Sequence, residues 1–137
     1  MDTTALTEVM TRQVQYIGID ADALEARDMM DKYDINHLPV LDNGNLAGII
    51  SKNDIKKVEF LAGFLGDQNS QPAIFRSLSV QELMSENVKW LPATATIAEA
   101  VHIFGTFSFQ SIPLMDKGQL VGIVTTKDLF HHMLIDA

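Results

Sequence analysis

The sequence predicts the α+β fold class, with a βαββα unit of strand, helix, strand, strand and helix that occurs twice. The first observation behind this prediction is an internal repeat: adding 74 to the numbers of residues 38–55 gives residues 112–129 with no gap, and Pro39 falls on Pro113. The second is a helix-capping signature that recurs at the same offset. The third is a pair of apolar runs around a polar, glycine-containing link. Self-similarity at one spacing indicates a duplicated structural unit.

The length of the chain favours one module over two independent domains. A chain of 137 residues buries roughly two-thirds of its unfolded surface on folding, whereas a unit of about 50 residues is marginal by itself. We therefore expect the two repeats to share one core in a module with internal pseudo-symmetry. The expected boundaries are repeat 1 at residues 1–66, a linker at 67–78 next to a polar breaker run, and repeat 2 at 79–137.

Each repeat begins with a short helical segment and a first strand. Residues 5–10 and 80–84 have the pattern of a helical lead-in, and residues 14–19 and 88–91 carry the alternating apolar residues of a strand. The equivalent segments lie at the same offset as the rest of the repeat. The prediction of a strand at these places therefore applies to both copies.

A capping box marks the start of the first long helix in each repeat. Asp22 is followed three residues later by Glu25, and Thr96 is followed three residues later by Glu99. In this arrangement each side chain accepts a hydrogen bond from the other residue's backbone N–H at the helix start. The apolar residues that follow recur at helical spacing, which predicts one buried stripe in each helix.

A β-hairpin completes the sheet of each repeat. Apolar runs at residues 38–41 and 46–50 flank a polar link that contains glycine, and the second repeat has the same pattern. Such a link between two apolar runs is typical of a hairpin. Pro39 and Pro113 suit the start or the edge of a strand, because proline donates no ladder hydrogen bond.

The end of each hairpin carries a shared motif and opens a second helix. The motif is Gly, two aliphatic residues, Ser or Thr, two further residues and Asp, at residues 48–54 and 122–128. A hydroxyl residue three positions before an acid is close to a capping box, so a purely structural role is one interpretation. Gly48 and Gly122 would let another group approach the backbone closely.

The same motif has the chemistry of a nucleoside phosphate site. A carboxylate at the start of a helix can accept two hydrogen bonds from a vicinal diol such as ribose. The neighbouring hydroxyl and the N–H groups of the first helical turn favour an anion such as phosphate. The acids that would hold the sugar are Asp54 and Asp128, and the hydroxyl residues are Ser51 and Thr125.

Charge and composition exclude several classes of partner. Hydrophobic residues make up 47% of the chain and charged residues 20%, which are globular values, and the formal net charge is −8. An acidic surface repels nucleic acid and anionic lipid, so we expect neither as a partner. The chain has no cysteine, no basic leader and no apolar run of roughly 20 residues. We expect a cytoplasmic protein that requires no metal and no cofactor.

The two copies resemble a pair of cystathionine β-synthase (CBS) domains, the Bateman module. The resemblance is carried by Val-Met-Thr at residues 9–11, by Leu-Pro-Val-Leu-Asp-x-Gly-x-Leu-x-Gly-Ile-Ile-Ser-x-x-Asp at residues 38–54, and by their counterparts in the second repeat. It covers about residues 8–134, which implies a stand-alone CBS pair. It also implies two βαββα units packed through their sheets around a pseudo-two-fold axis, with two clefts between them.

The resemblance implies a ligand sensor. Ligand-binding relatives typically hold AMP, ADP or ATP, and in other cases S-adenosylmethionine, NAD or a cyclic dinucleotide. Asp54 and Asp128 would hold the ribose. The backbone near Val14 and Val88 would bind adenine, and the aliphatic side chains near Leu38-Pro39 and Ile112-Pro113 would lie on either side of it. The candidate ligand-binding residues are Thr11, Val14, His37, Leu38, Pro39, Ser51, Lys52, Asp54, Ser85, Val88, Ser111, Ile112, Pro113, Thr125, Lys127 and Asp128.

The two sites differ just before the strand proline, where nucleotide-binding relatives often carry a basic residue. The first repeat has Asn36 and His37 there, and the second has Gln110 and Ser111. If His37 contacts phosphate, affinity should weaken as pH rises through the pKa of the imidazole. A polar residue at a strand edge is the alternative interpretation. The motif lysines could counter phosphate charge or lie free on the surface; they are Lys52 and Lys127.

Three functions compete at this stage: a regulatory adenine-nucleotide sensor, an enzyme, and a ligand-free dimerisation or scaffold module. No set of nucleophile, base and orienting residue is apparent, which disfavours an enzyme. A sensor would pass a ligand-dependent population shift to a protein target that the sequence does not identify. The resemblance favours a homodimer, and the second helices carry many apolar residues that either join the core or mark an association surface. These residues are Phe60, Phe64, Phe130, Met133 and Leu134.

Overall fold

The computed structural model describes residues 2–66 and 68–135. Met1, Asp67, Asp136 and Ala137 lie outside the described residues, and with them the outer ends of the two predicted repeats and the first residue of the predicted linker. The elements of the described part, in chain order, are β1 (Ile17–Gly18), α1 (Ala23–Tyr33), β2 (His37–Asp42), β3 (Asn45–Ser51), α2 (Lys52–Leu65), α3 (Gln71–Arg76), α4 (Val80–Leu83), β4 (Leu91–Pro92), α5 (Ile97–Thr106), β5 (Ser111–Asp116), β6 (Gln119–Thr125) and α6 (Thr126–Ile135), with short 3-10 helices at Leu6–Glu8 and Gln68–Ser70. The α+β class and the βαββα order of each repeat are confirmed.

The strands form two three-stranded sheets with the same topology. The strand orders are β1-β2-β3 and β4-β5-β6, with a parallel pair followed by an antiparallel hairpin in each. In the first hairpin turn Asn43 has φ 49° and Gly44 has φ 84°, and in the second Lys117 has φ 52° and Gly118 has φ 77°. Two consecutive residues with positive φ define the turn that matches the twist of a hairpin. The predicted hairpins are therefore confirmed.

The first strand of each sheet is shorter than predicted. Only Ile17 and Gly18 pair with the central strand, at Val40 and Leu41. Pro39 precedes this ladder, and its partner Ile49 directs its own N–H and C=O to Ser85 on the other side of the hairpin. The nitrogen of Pro39 therefore faces the β1 side without a hydrogen to donate, so the parallel ladder begins one residue later.

The predicted capping boxes at the first long helices are present. Asp22 accepts from the N–H of Glu25 at 2.9 Å while Glu25 accepts from the N–H of Asp22 at 3.0 Å. Thr96 and Glu99 make the same reciprocal pair at 3.3 Å in each direction. These bonds satisfy N–H groups that would otherwise lack a partner at the helix start, which is why short polar residues stand there.

Each sheet lies against its own hydrophobic core. The first core combines the buried stripe of α1 with the inward side chains of the hairpin and of α2, namely Ala23, Ala26, Met30, Leu38, Val40, Ile50, Ile55 and Val58. The second core repeats this arrangement with Ala95, Ile97, Ala100, Ile112, Leu114, Val124 and Leu129. The helical spacing seen in the sequence therefore corresponds to real burial in both copies.

The segment that precedes each first strand packs with the sheet of the other repeat. Leu6 is fully buried in the second core, and its N–H donates to Ala95 O at 2.9 Å. Val80 of α4 is fully buried in the first core. The compact units are therefore residues 15–88, and residues 2–14 together with 89–135. This division differs from the repeat boundaries expected from the sequence, because the lead-in segments are exchanged.

The stretch expected to be a linker contains a packed helix. Phe75 of α3 is fully buried in the first core, and the Arg27 guanidinium lies over its ring at 4.7 Å from the centroid. Composition alone does not predict this helix, because a polar run precedes it in the sequence. From residue 68 onward the expected linker is thus part of the folded unit formed by residues 15–88.

Candidate functional site

The β3–α2 junction brings Ser51 and Asp54 together. Ser51 ends β3 and caps α2, and its N–H donates to Asp54 Oδ2 at 2.8 Å. The Ser51 hydroxyl donates to the same oxygen at 2.9 Å, while the Asp54 N–H donates to Ser51 Oγ at 3.3 Å. The capping interpretation is therefore confirmed at this junction. The carboxylate is held in one orientation by two hydrogen bonds to one of its oxygens.

The β6–α6 junction repeats the same geometry. The N–H of Thr125 donates to Asp128 Oδ2 at 2.9 Å, and the N–H of Asp128 donates to Thr125 Oγ1 at 3.1 Å. Both carboxylates are half-buried. Within residues 2–66 and 68–135 no hydrogen bond reaches Oδ1 of Asp54 or of Asp128. The cap thus occupies one oxygen and leaves the other available to hydroxyl groups of a ligand.

His37 joins the first junction from the neighbouring strand. It is the cross-strand partner of Ser51, and the N–H of Lys52 donates to Asn36 O at 2.8 Å. Burial lowers the pKa of His37, because the imidazolium loses hydration, and the negative charge of Asp54 partly opposes this effect. A half-buried imidazole therefore stands beside the capped carboxylate of Asp54.

The second junction has a hydroxyl where the first has the imidazole. Ser111 is the cross-strand partner of Thr125, and the N–H of Thr126 donates to Gln110 O at 3.2 Å. Ser111 is only 5% exposed. The backbone of the two junctions is therefore equivalent, and the difference lies in the side chains that surround the carboxylate.

The structure places Thr11 and Ser85 at the outer edges of the two hairpins. Thr11 exchanges two backbone hydrogen bonds with Ile123 of β6, at 2.9 and 3.1 Å, and Ser85 does the same with Ile49 of β3, at 2.8 and 3.0 Å. Each residue therefore belongs to the same compact unit as the other repeat's motif. The sequence does not predict this grouping, because the paired residues are more than thirty positions apart in the chain.

The two motif glycines are closely approached, as predicted, but by other residues of this chain rather than by a ligand. A Cβ on Gly48 would lie 2.7 Å from both Met84 Sδ and Ser85 O, and a Cβ on Gly122 would collide with Met10 Sδ. The packing of Met10 against Gly122 and of Met84 against Gly48 is a contact that the sequence analysis did not predict. The recurrence of the two methionines at the repeat offset, together with that of the glycines, is the signal that could have revealed the contact.

The remaining candidate residues divide into buried and accessible groups. Leu38 and Ile112 are completely buried in the two cores, so only their backbone could meet a ligand. Pro39 and Pro113 follow them, with side chains on the opposite faces of their strands, and are also fully buried. Val14 and Val88 precede the first strands, and their side chains are half-buried. Of the motif lysines, Lys52 is half-buried and Lys127 is exposed.

The second helices expose the apolar side chains that the sequence singled out. On α2, Phe60 is 71% exposed and Phe64 is 74% exposed, and their rings meet edge-on at 5.1 Å. On α6 the corresponding exposed residues are Phe130, Met133 and Leu134. The alternative that these side chains join the core of the chain is therefore ruled out by their positions.

Two further kinds of feature are absent from the part of the chain that the structure describes. There, no three residues among His, Asp and Glu converge in a way that could hold a metal ion. Among the described helices, none combines the length and the apolar character that crossing a bilayer requires.

Comparison with known proteins identifies the repeats. The family model for the CBS domain matches residues 6–60 and again residues 80–135. Inosine-5′-monophosphate dehydrogenase of Staphylococcus aureus strain Mu50 is 29% identical over 109 residues, which are 77% of this chain and 19% of that enzyme. The chain thus spans about a fifth of the length of the curated relatives it matches.

Solved structures share the fold. The CBS domain pair of protein MJ0100, in complex with 5′-methylthioadenosine and S-adenosyl-L-methionine, gives a TM-score of 0.82 at 23% identity, covering 98% of this chain and 99% of that one. CBSX2 in complex with AMP gives a TM-score of 0.78 at 19% identity, covering 97% and 98%. At these identities the likeness establishes the fold.

Proposed function

The chain belongs to the CBS domain family, and from this premise we propose that it is a regulatory module that senses an adenosine-containing nucleotide of the AMP, ADP or ATP class. The observation that carries the proposal is the pair of capped carboxylates. Asp54 and Asp128 each have one oxygen engaged by the cap and one oxygen without a hydrogen bond in the described chain. A fixed carboxylate oxygen beside a helix start matches the vicinal hydroxyls of a ribose.

The ligands of related structures support the adenosine part of the proposal. The MJ0100 pair holds 5′-methylthioadenosine and S-adenosyl-L-methionine, and CBSX2 holds AMP. Adenosine is the portion that these three ligands share. In this chain the free carboxylate oxygen would take the sugar, and the hydroxyl and first-turn N–H groups would take the 5′ substituent. We also propose a cytoplasmic location. The chain has no cysteine, and disulfides are rare in cytosolic proteins.

The same hydrogen bonds argue against a nucleophilic enzyme. The first junction holds Ser51, His37 and Asp54, the residue types of a hydrolase triad. However, the Ser51 hydroxyl donates its hydrogen bond to Asp54 rather than to His37, so the imidazole is not placed to act as its general base. The second junction has Ser111 in place of the imidazole. The groups therefore suit binding, and a protein target would read the ligand-dependent population of states.

Calorimetry with paired variants tests the proposal. Asp54→Asn and Asp128→Asn keep an acceptor for the cap but remove the charge that strengthens hydrogen bonds to ribose. Each change should weaken AMP or ATP binding at its own site by roughly tenfold or more. Asp31→Asn, an exposed acid on α1, is the matched control and should leave affinity unchanged. Wild-type affinity in both site variants, or turnover of the nucleotide, would refute the sensor proposal.

A broader ligand screen separates the adenine nucleotides from the alternatives. A ligand that binds only the folded protein raises its melting temperature. We expect AMP, ADP or ATP to raise it more than S-adenosylmethionine, NAD or a cyclic dinucleotide. A larger shift with one of the latter would keep the sensing role and replace the ligand. No shift with any of them would favour a ligand-free scaffold.

The exposed helix faces favour homodimerisation as a second property. The apolar surface of α2 around Phe60 and Phe64 is of the kind that marks association sites. We propose that two copies associate through this surface and the corresponding face of α6. Light scattering after size exclusion should show a dimer for the wild type and a monomer for Phe60→Glu/Phe64→Glu. Tyr16→Glu, another exposed aromatic residue, should remain dimeric, and a monomeric wild type would overturn the proposal.

A further inference from the structure

Sulfur chemistry in this chain is confined to methionine, because the sequence has seven methionines and no cysteine. Two of the seven, Met10 and Met84, occupy equivalent positions in the two lead-in segments that precede the first strands. Each is half-buried, and each packs against one of the two cores. The repeat thus places both methionines in the same structural setting.

The sulfur of each of these methionines lies against a glycine of a hairpin in the same compact unit. A Cβ on Gly48 would be 2.7 Å from Met84 Sδ and 3.0 Å from Met84 Cγ, and a Cβ on Gly122 would collide with Met10 Sδ. The thioether thus fills the space that a side chain would take on the glycine. Dispersion holds this contact, because neither the thioether nor the glycine Cα offers a strong hydrogen-bonding group.

The backbone next to each contact joins the lead-in segment to the hairpin through an isolated β-bridge. Ser85 exchanges two hydrogen bonds with Ile49 at 2.8 and 3.0 Å, and Thr11 exchanges two with Ile123 at 2.9 and 3.1 Å. Ser85 and Thr11 each follow their methionine directly in the sequence. The N–H groups of these four residues, the four bridge amides, therefore report whether the lead-in segments are attached beside the sulfur contacts.

Both methionines lie where a small oxidant can reach them. Met10 and Met84 are half-buried, and the residues that follow them are exposed. Met133 of α6 is 62% exposed, whereas Met30 in the first core is 1% exposed. Oxidation of sulfur side chains depends on exposure, so Met10 and Met84 should react more slowly than Met133 and faster than Met30.

We propose that Met10 and Met84 are a pair of oxidation sites, and that their conversion to methionine sulfoxide by hydrogen peroxide releases the two lead-in segments from the hairpins. The sulfur lone pair attacks one peroxide oxygen and the O–O bond breaks, so the sulfur is oxidised by two electrons. The proton of the transferred oxygen passes to the departing hydroxide, which leaves as water. The reaction needs no bound nucleotide.

The sulfoxide cannot keep the contact that the thioether makes. Its oxygen is a polar acceptor, and the Cα of Gly48 or Gly122 has no hydrogen bond to offer, whereas solvent does. The oxidised side chain therefore turns outward, and the bridge beside it loses its packing. Because methionine sulfoxide reductases restore the thioether, a chain without cysteine gains a reversible response to peroxide at the edges of both hairpins.

Peroxide treatment of two single variants tests the proposal, and each variant is the control for the other. Met84→Leu and Met10→Leu keep the apolar volume but cannot form a sulfoxide. In the wild type, peroxide should speed hydrogen exchange at the four bridge amides by about tenfold or more. In Met84→Leu only the bridge of Thr11 should respond, and in Met10→Leu only the bridge of Ser85. Peptide mass spectrometry measures the sulfoxide at each methionine in the same samples.

Three results would overturn the proposal. Met10 and Met84 are not oxidation sites if they stay unoxidised for as long as Met30 does. The sulfoxide does not release the lead-in segments if both methionines are oxidised while the four bridge amides keep their exchange rates. Met84→Gln, which places a polar amide near the position of the sulfur, gives a check without peroxide. It should speed exchange at the Ser85 bridge by about tenfold, and unchanged exchange would show that a polar group is tolerated against the glycine.

Discussion

The β3–α2 and β6–α6 junctions share one backbone design and differ in what surrounds it. In each, a hydroxyl residue caps the helix and an acid three residues later closes the box, with N–H to Oδ2 distances of 2.8 and 2.9 Å. One junction adds His37 and Lys52, and the other adds Ser111, Thr126 and Lys127. The capping box is required by the helix start in both copies, whereas the flanking side chains are free to diverge.

The comparison shows why one acid can serve two purposes. A capping carboxylate needs only one oxygen to accept from the N-cap backbone. A ligand that bound the second oxygen of Asp54 or of Asp128 would leave the hydrogen bonds of the cap in place. The backbone frame of the two junctions is therefore the same, and the side chains that differ between them, such as His37 and Ser111, do not support the cap.

The largest predicted effect concerns α3, a helix of the unit formed by residues 15–88. Phe75 of α3 is fully buried in the core of residues 15–88. Phe75→Ala should lower the free energy of unfolding by about 3–5 kcal/mol, as expected for a buried phenylalanine. Phe64→Ala, at a residue that is 74% exposed, should change it by less than about 0.5 kcal/mol. Denaturant titration measures both, and equal losses would show that α3 does not contribute to this core.

The two motif glycines should differ in how well they tolerate a methyl group. A Cβ on Gly48 meets the backbone oxygen of Ser85 at 2.7 Å, whereas the backbone oxygen nearest a Cβ on Gly122, that of Thr11, lies at 3.3 Å. The Met10 side chain that also contacts Gly122 can rotate away, but a backbone oxygen cannot. Gly48→Ala should therefore cost about 3 kcal/mol of stability and Gly122→Ala about 1 kcal/mol. Thermal unfolding of the two variants tests the order, and a reversed order would contradict this packing.

The smallest effect is a pH dependence confined to the first junction. Burial lowers the pKa of His37 below its ordinary value of 6.5. The unfolded chain therefore binds a proton more readily than the folded one, and stability falls as pH drops below about 6.5. His37→Ser gives the first junction the residue of the second and should make stability less dependent on pH between 7.5 and about 5. An unchanged pH profile would mean that His37 is as well hydrated in the folded state as in the unfolded chain.

Much of the frame could be predicted from local sequence signals. Caps such as Asp22 with Glu25, and the positive-φ turn at Asn43 and Gly44, depend on residues close in sequence, and the repeat doubled each signal. The exchanged lead-ins could not be predicted, because the contact of Met10 with Gly122 joins distant parts of the chain. β1 is short because Pro39 of the central strand has no N–H to donate to it. The alternation of apolar residues does not predict which residues of two strands will pair.

The residues of the candidate site could be predicted from the sequence, but the role of each carboxylate oxygen and the grouping of residues around each motif could not. The sequence identified Asp54 and Asp128 and left open whether they cap or bind. The geometry shows the cap and leaves one oxygen free, so the two interpretations are compatible. The grouping of Thr11 with the second motif, and of Ser85 with the first, follows from backbone pairing at the hairpin edges that no local pattern records.

Backbone amide NMR during a titration with AMP tests the central claim most directly, because it reports on each junction separately. If the capped carboxylates bind the nucleotide, the largest shifts should fall on the amides of residues 51–54 and 125–128, and they should saturate with the ligand. An AMP titration that leaves these eight amides unchanged, or that shifts only the exposed ends of α2 and α6, would contradict it.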